Sequence, residues 1–372
     1  MDLRDGLAAI HHIPGVGWNT MARLLKAGFL PDQDLTPSVI DALRHNGISP
    51  KMVKLLKQKW NPAWIKQVKE GLKNKKIEVI TYFCDEYPLL LKEIAMPPWV
   101  LYIKGNAGLL RETSLAVVGT RRPTPYGLKV TKQLVREMVE AGFVIASGMA
   151  NGIDGAAHRT ALEHRGKTVA VLGCGADVVY PKNHRALYDE IVRTGAVVSE
   201  SIPGTTPHPG LFPARNRIIS GLSRGTLVIE AAERSGSLIT ADFSLEQGRE
   251  VFAVPGPITS VQSRGTLQLI RQGAKCVVCG NDILEEFYDW TPGKQKQAEA
   301  HDRQKQDFDE KEEKILSYFD TDEPVPLPLL LEKGGREFPP GEIQRILLQL
   351  ELKKAVLQLP GARFVRNSFD RS

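Results

Sequence analysis

Leu115-Ala116-Val117-Val118-Gly119-Thr120-Arg121-Arg122 sets the pattern for the middle of this chain: an apolar run, a glycine, then polar and cationic residues ahead of a helix-length segment. The apolar runs recur at residues 115–118, 143–146, 168–172, 196–199, 226–229, 251–254 and 275–278. Nearly uniform hydrophobicity marks strands buried on both faces, as in a parallel sheet covered by helices. Segments 126–140 and 153–164 are long enough for such helices. The alternation predicts a doubly wound α/β domain with a mostly parallel sheet. Glycine and polar residues cluster just after the runs, where open parallel sheets place their ligand sites.

Ahead of this region, residues 1–76 read as a small helical domain. Ile13-Pro14-Gly15-Val16-Gly17 between two apolar periodic segments is a helix-hairpin-helix-like turn, suited to a phosphate or to a tight packing turn. Residues 36–76 look helical, with Lys51, Lys54, Lys57 and Lys59 on a basic face read as solvated. Residues 77–81 and 100–103 read as short extended pieces leading into the sheet, so the α/β domain spans 77–290. Residues 291–312 are almost free of apolar side chains and read as a charged linker. Residues 313–372 read as three helices followed by a hairpin around Pro360-Gly361, the order of a winged helix. Its third helix mixes Arg345, Lys353 and Lys354 with Glu342 and Glu351, which suits a protein contact better than base reading.

The chain has 372 residues and a net charge of +6, with 49 basic and 43 acidic side chains. The first eighty residues hold thirteen basic and seven acidic side chains, so the excess lies entirely there. That balance suits a polyanionic partner without establishing one. No apolar run is long enough to span a bilayer, and the polar N-terminus does not resemble a signal peptide, so a cytoplasmic location is expected. Cys276-Val277-Val278-Cys279 lacks a second ligand pair and reads as buried bystander thiols, with no metal site.

Gly119 to Gly127 is neither a GxGxxG nor a Walker loop, so no cofactor is expected. Glycine there permits a tight turn, and Arg121 and Arg122 beside a helix N-terminus make a phosphate-sized pocket. Ser147-Gly148 leads a second such turn, followed by Asp154 and His158 one helical turn apart. That pair is either catalytic or a brace for its turn, and the brace is the preferred reading. Lys182 and Asn183 follow Tyr180-Pro181, Phe212 precedes Arg215-Asn216-Arg217, and Ser235-Gly236-Ser237 forms a further turn. Four cations, Arg121, Lys182, Arg215 and Arg217, with no readable triad or metal set, suggest a binding groove rather than a reaction centre. Phe212 is either a stacking platform or a core aromatic.

These motifs, in this order, resemble the DprA (Smf) DNA-processing family over about residues 80 to 290. The set is VGTR, SGMANGID, VLGCGADVVYPKN, FPARNRIISGLS, SGSLITA and GREVFAVPG. The resemblance implies an extended Rossmann fold that binds single-stranded DNA, protects incoming strands during natural transformation and helps load RecA recombinase. It implies a homodimer, with a surface including the helix near 267–272, and single-strand-binding protein as a further partner. It places DNA contacts on Arg121, Lys182, Arg215, Asn216 and Arg217, with Ser235, Gly236 and Ser237 expected to line the same groove. Gly119, Arg122, Ser147, Gly148 and Asn183, in the same turns, complete the expected DNA-binding set, with Phe212 added for stacking. Two rival readings stand beside it. One is a Rossmann-like nucleoside-monophosphate hydrolase, with Glu200, Glu230, Asp154 and His158 as candidate acids and bases. The other is a protein-interaction scaffold.

Overall fold

The computed structural model describes residues 2–29, 35–287, 309–319, 325–335, 337–353, 355–359 and 362–366. The chain forms two compact units, Met1–Trp290 and Thr291–Ser372. Among the described residues no helix is long and apolar enough to cross a membrane.

The first unit begins with five helices, α1 (Leu3–His11), α2 (Trp18–Lys26), α3 (Pro37–His45), α4 (Pro50–Lys59) and α5 (Pro62–Asn74). Their starts follow from local chemistry. Asp2, Thr36, Ser49 and Asn61 each accept a hydrogen bond from a first-turn amide, and proline occupies the first turn of α3, α4 and α5. The sheet strands are β1 (Glu78–Thr81), β2 (Val100–Gly105), β3 (Ser114–Val118), β4 (Val144–Ser147), β5 (Thr168–Leu172), β6 (Ala196–Ser199), β7 (Gly225–Val228), β8 (Glu250–Ala253) and β9 (Lys275–Cys276). Between them run α6 (Leu89–Lys92), α7 (Pro125–Glu140), α8 (Ile153–Glu163), α9 (Arg185–Thr194), α10 (Leu211–Leu222), α11 (Gly236–Glu246) and α12 (Arg264–Arg271).

The nine strands form one sheet in the order β1-β2-β6-β5-β4-β3-β7-β8-β9. From β6 to β9 every pairing is parallel, as the apolar runs require. The pieces at 77–81 and 100–103 do more than lead in: β2 pairs antiparallel with β6, and β1 with β2, so they form one edge of the sheet. Val118, Val171, Val198, Ile218 and Ile219 pack on one face, and Val117, Leu134, Ile145, Ile153 and Leu227 on the other. The N-terminal helices share a core with the sheet, since Leu7, Ile10, Met21, Leu43 and Leu56 cluster with Val100 and Tyr102 of β2. That shared apolar surface explains why the helices and the sheet form one compact unit.

The reading of Cys276 and Cys279 as buried thiols is corrected: Cys276 is exposed and Cys279 half-buried. Of the final run, Lys275 and Cys276 pair with β8 at the sheet edge, and Val278 beyond them is 70% exposed.

In the second unit, helices Glu310–Leu316, Leu327–Gly334 and Pro340–Leu352 alternate with a three-stranded sheet. There Arg363–Arg366 lies between Val325–Pro326 and Val356–Leu359. Ile315, Leu330, Ile343, Ile346 and Leu350 form its core. Asp309 and Glu312 make a capping box, so the end of the segment read as linker is the first turn of a helix. The rest of that segment, 291–308, lies outside the described residues, as does Lys354.

Candidate nucleic-acid interface

After β3 the chain winds outward through β4, β5 and β6, then returns to the other flank of β3 to lay down β7, β8 and β9. Loops on the two flanks diverge at the carboxyl end of β3, and such a switch point leaves a crevice. Here it is an open cleft of about 490 Å³. Gly119 and Arg121 line it from β3, Ala150 and Asp154 from β4, and Tyr180 from beyond β5. Phe212, Arg215 and Asn216 of α10, and Ser235, Gly236 and Ser237 at the start of α11, complete the walls. A small adjoining cavity of about 40 Å³ lies against Gly148, Cys174 and Arg215.

The turns around the cleft are braced from below. Glu230, only 2% exposed, accepts hydrogen bonds from Thr124 N at 2.9 Å and Thr124 Oγ1 at 2.5 Å, which holds the Arg121 loop against β7. The Asp154 carboxylate accepts from Gly148 N and Ala150 N at 3.2 and 3.4 Å, closing the turn after β4. Within that turn Met149 sits at a left-handed φ of 60°. Gly152, at φ 83°, brings the β4 turn so near the β3 turn that a Cβ would lie 2.8 Å from Arg121 Cα.

Arg215 is 7% exposed, and its Nη1 donates to Gly148 O at 2.7 Å and also to Val171 O. Burial lowers its pKa to about 10, while Asp154 nearby counters the shift, so it stays charged at neutral pH. Burial raises the Asp154 pKa, and the Arg215 charge and two backbone amides counter that. Arg121 remains exposed, with its guanidinium carbon 5.8 Å from the centre of the Phe212 ring. Phe212 stacks on Tyr180 at 5.4 Å and 28°. Two aromatic faces and an exposed cation thus meet at one wall. Opposite them, α11 starts with Ser235 as N-cap and carries no acidic residue in its first turn, so its amide dipoles present positive potential.

Other expected contacts are engaged elsewhere. The Arg217 guanidinium donates to both Glu200 oxygens at 2.8 Å and to Met96 O at 3.0 Å, and lines neither cavity. Ser147 is fully buried, its hydroxyl stitched to Val117 O at 2.6 Å. Arg122 is exposed and outside the cleft, with its amide bonded to Thr120 Oγ1. Lys182 lines a separate open depression with Arg185. Asn183 donates to Asn151 Oδ1 at 3.0 Å, tying that depression to the β4 turn. Tyr180 and Ile239 line the cleft without having stood among the candidates. Tyr180 had a legible signal, the strand end before it, whereas Ile239 lies inside an apolar helical run.

The acids and bases considered for hydrolysis are likewise taken up by their surroundings. Glu230 is held by Thr124, Glu200 by Arg217, and Asp154 by backbone amides. His158 is fully buried, with Nδ1 2.6 Å from Thr168 Oγ1 and its pKa lowered to about 3 by burial. Asp154 and His158 thus brace the turn and the strand beneath it.

A doubly wound sheet with an open, cationic and aromatic cleft at its switch point defines an α/β protein of the extended Rossmann class. The family model described as DNA recombination-mediator protein A matches residues 78–288, which contain every wall of that cleft. The DNA processing protein DprA of Bacillus subtilis is 40% identical over 258 residues, 69% of this chain and 86% of that protein. A solved structure of DprA from Streptococcus pneumoniae superimposes with a TM-score of 0.66 at 38% identity, covering 77% of this chain and 99% of that one. DNA processing protein A from Helicobacter pylori, whose structure is described for its single-stranded DNA binding mode, gives a TM-score of 0.53 at 30% identity. That match covers 57% of this chain and 96% of that one. The chain belongs to the DNA recombination-mediator protein A family, also called DprA or Smf.

Proposed function

We propose that this chain binds single-stranded DNA in the switch-point cleft and hands it to a RecA-class recombinase during uptake and recombination of DNA. The observation that carries the reading is the wall where exposed Arg121 stands over Phe212, itself stacked on Tyr180. A cation beside stackable rings suits a phosphate next to an unpaired base, and binding of that kind needs no base-specific hydrogen bonds. Arg121, Asn216, Ser235, Gly236 and Ser237 are assigned to the strand itself. Arg215 and Gly148 position the floor of the cleft. Lys182, with Arg185, extends the phosphate path beyond it. Membership of the family supports the hand-over to recombinase, a homodimer as the working form, and a cytoplasmic site of action. The second unit is assigned as a winged helix, on its order of one helix, a strand, two helices and two strands.

Fluorescence anisotropy of single-stranded and duplex oligonucleotides across a salt series tests the reading. Salt-sensitive preference for single strands, lost in an Arg121→Ala/Lys182→Ala double variant, is the expected result. Equal, weak binding of both forms, unchanged by the substitutions, would overturn it.

A further inference from the structure

The same rim of the sheet carries a second aromatic surface, outside the cleft. β2 runs antiparallel to β6, with Tyr102 opposite Ser199, so the amino end of β2 lies at the carboxyl end of β6. β1 pairs Thr81 with Val100, which brings its carboxyl end to the same rim. Tyr82 and Phe83 therefore emerge beside Trp99, and Tyr82 N donates to Trp99 O at 3.1 Å. Phe83 lies over Trp99 at 6.4 Å and 24°, and Trp18 of α2 backs Trp99 at 5.7 Å. Trp18 is pinned there because its Nε1 donates to Pro97 O at 2.7 Å.

This surface is open: Phe83, which stacks on Trp99, is 43% exposed. An exposed Phe83 stacked on a braced tryptophan is more than a scattered surface hydrophobic. The acids around it are mostly neutralised, since Glu200 pairs with Arg217, Glu93 with Arg249 and Glu86 with Arg4; Asp85 is exposed. Lys92 Nζ lies 5.0 Å from the Tyr82 ring. The surface lies on the cleft's rim: β6, whose carboxyl end meets the start of β2, pairs with β5, and the loop after β5 brings Tyr180 to the cleft wall.

We infer that Phe83 and Trp99 form a second stacking platform, on which bases of a single-stranded DNA leaving the cleft along the carboxyl rim are seated. The inference rests on the cleft's own assignment to single-stranded DNA. Aromatic stacking accepts any base, which fits a strand bound without sequence readout. The bracing of Trp99 by Trp18 and by the Pro97-Pro98 segment keeps the platform ordered before DNA arrives, so little entropy is lost on binding.

The test uses the full chain and two oligonucleotides, one of about 6 and one of about 20 nucleotides, the first within and the second beyond the roughly 4–16 nucleotides one single-strand-binding module spans. Phe83→Ala is expected to weaken the longer oligonucleotide about tenfold, the worth of one stacked base, and to leave the shorter one unchanged. Phe83→Trp is expected to restore affinity, and its fluorescence to be quenched by the longer oligonucleotide only. Unchanged affinity of Phe83→Ala for the longer strand, or equal loss for both lengths, would overturn the platform while leaving the cleft intact. Failure of the unsubstituted chain to bind either length would overturn the cleft reading itself.

Discussion

Arg217 Nη2 donates to both carboxylate oxygens of Glu200 at 2.8 Å, whereas Arg215, two residues earlier, directs Nη1 to Gly148 O at 2.7 Å. Two residues advance a helix by about 200°, so two arginines of one short motif cannot share a face. Arg217 is a structural cation. Its side chain is 9% exposed and that of Glu200 26%, so removing it strands a partly buried carboxylate. Arg217→Ala is expected to lower the unfolding free energy by about 2 kcal/mol, less than the ~3–5 kcal/mol of a fully buried pair because Glu200 retains some solvent. Urea unfolding measures this. The folded fraction should bind single-stranded DNA as tightly as the parent chain.

Arg121 shows the opposite behaviour. It is exposed, and its ring contact is with Phe212 at the cleft wall. Arg121→Ala should change stability by less than about 0.5 kcal/mol, as surface substitutions do. It should also flatten the logarithmic salt dependence of single-strand binding by about 0.7, the share of one phosphate contact. A folded variant with an unaltered slope would remove Arg121 from the path.

Two glycines of the cleft are predicted to differ. A Cβ on Gly148 would lie 2.6 Å from both Nη atoms of Arg215, a buried side chain held by Gly148 O and Val171 O. Gly148→Ala should therefore cost about 1–3 kcal/mol through overpacking and displace the cleft floor, weakening DNA binding as well. A Cβ on Gly236 meets nothing within 4 Å. Gly236→Ala should fold like the parent, and paired thermal melts with anisotropy on both variants check the contrast.

Acid should destabilise the first unit partly through two histidines. Burial lowers the pKa of His158 to about 3 and that of His11 to about 4, while unfolding returns each toward 6.5. Between those values the unfolded chain binds more protons, so stability is fullest above about pH 6.5 and declines as pH falls toward 4. His158→Gln should flatten the decline between pH 7 and 4.5, read from urea midpoints at each pH. An unchanged slope would place the acid sensitivity in other groups.

The parallel strands were legible because burial on both faces leaves only apolar residues, so runs such as 168–172 and 196–199 coincide with β5 and β6. The glycine turns were legible too, because close backbone approach excludes a Cβ, as at Gly152 against Arg121. The family followed from those turns in their order.

Side-chain direction was not legible. Arg215 and Arg217 look alike in sequence, yet one lines the cleft and the other locks α10 to Glu200 and Met96. Ser147 looks like a cleft hydroxyl and is a buried stitch between strands. Local sequence determined where strands end and where chain reversals require glycine, because those depend on solvation and on the backbone of a few neighbouring residues. Which cations face the cleft, which acids are already neutralised, and that Trp99 and Phe83 share its rim were decided by tertiary structure. Those outcomes depend on contacts between segments more than a hundred residues apart in some cases, such as Thr124 with Glu230 at a separation of 106 residues.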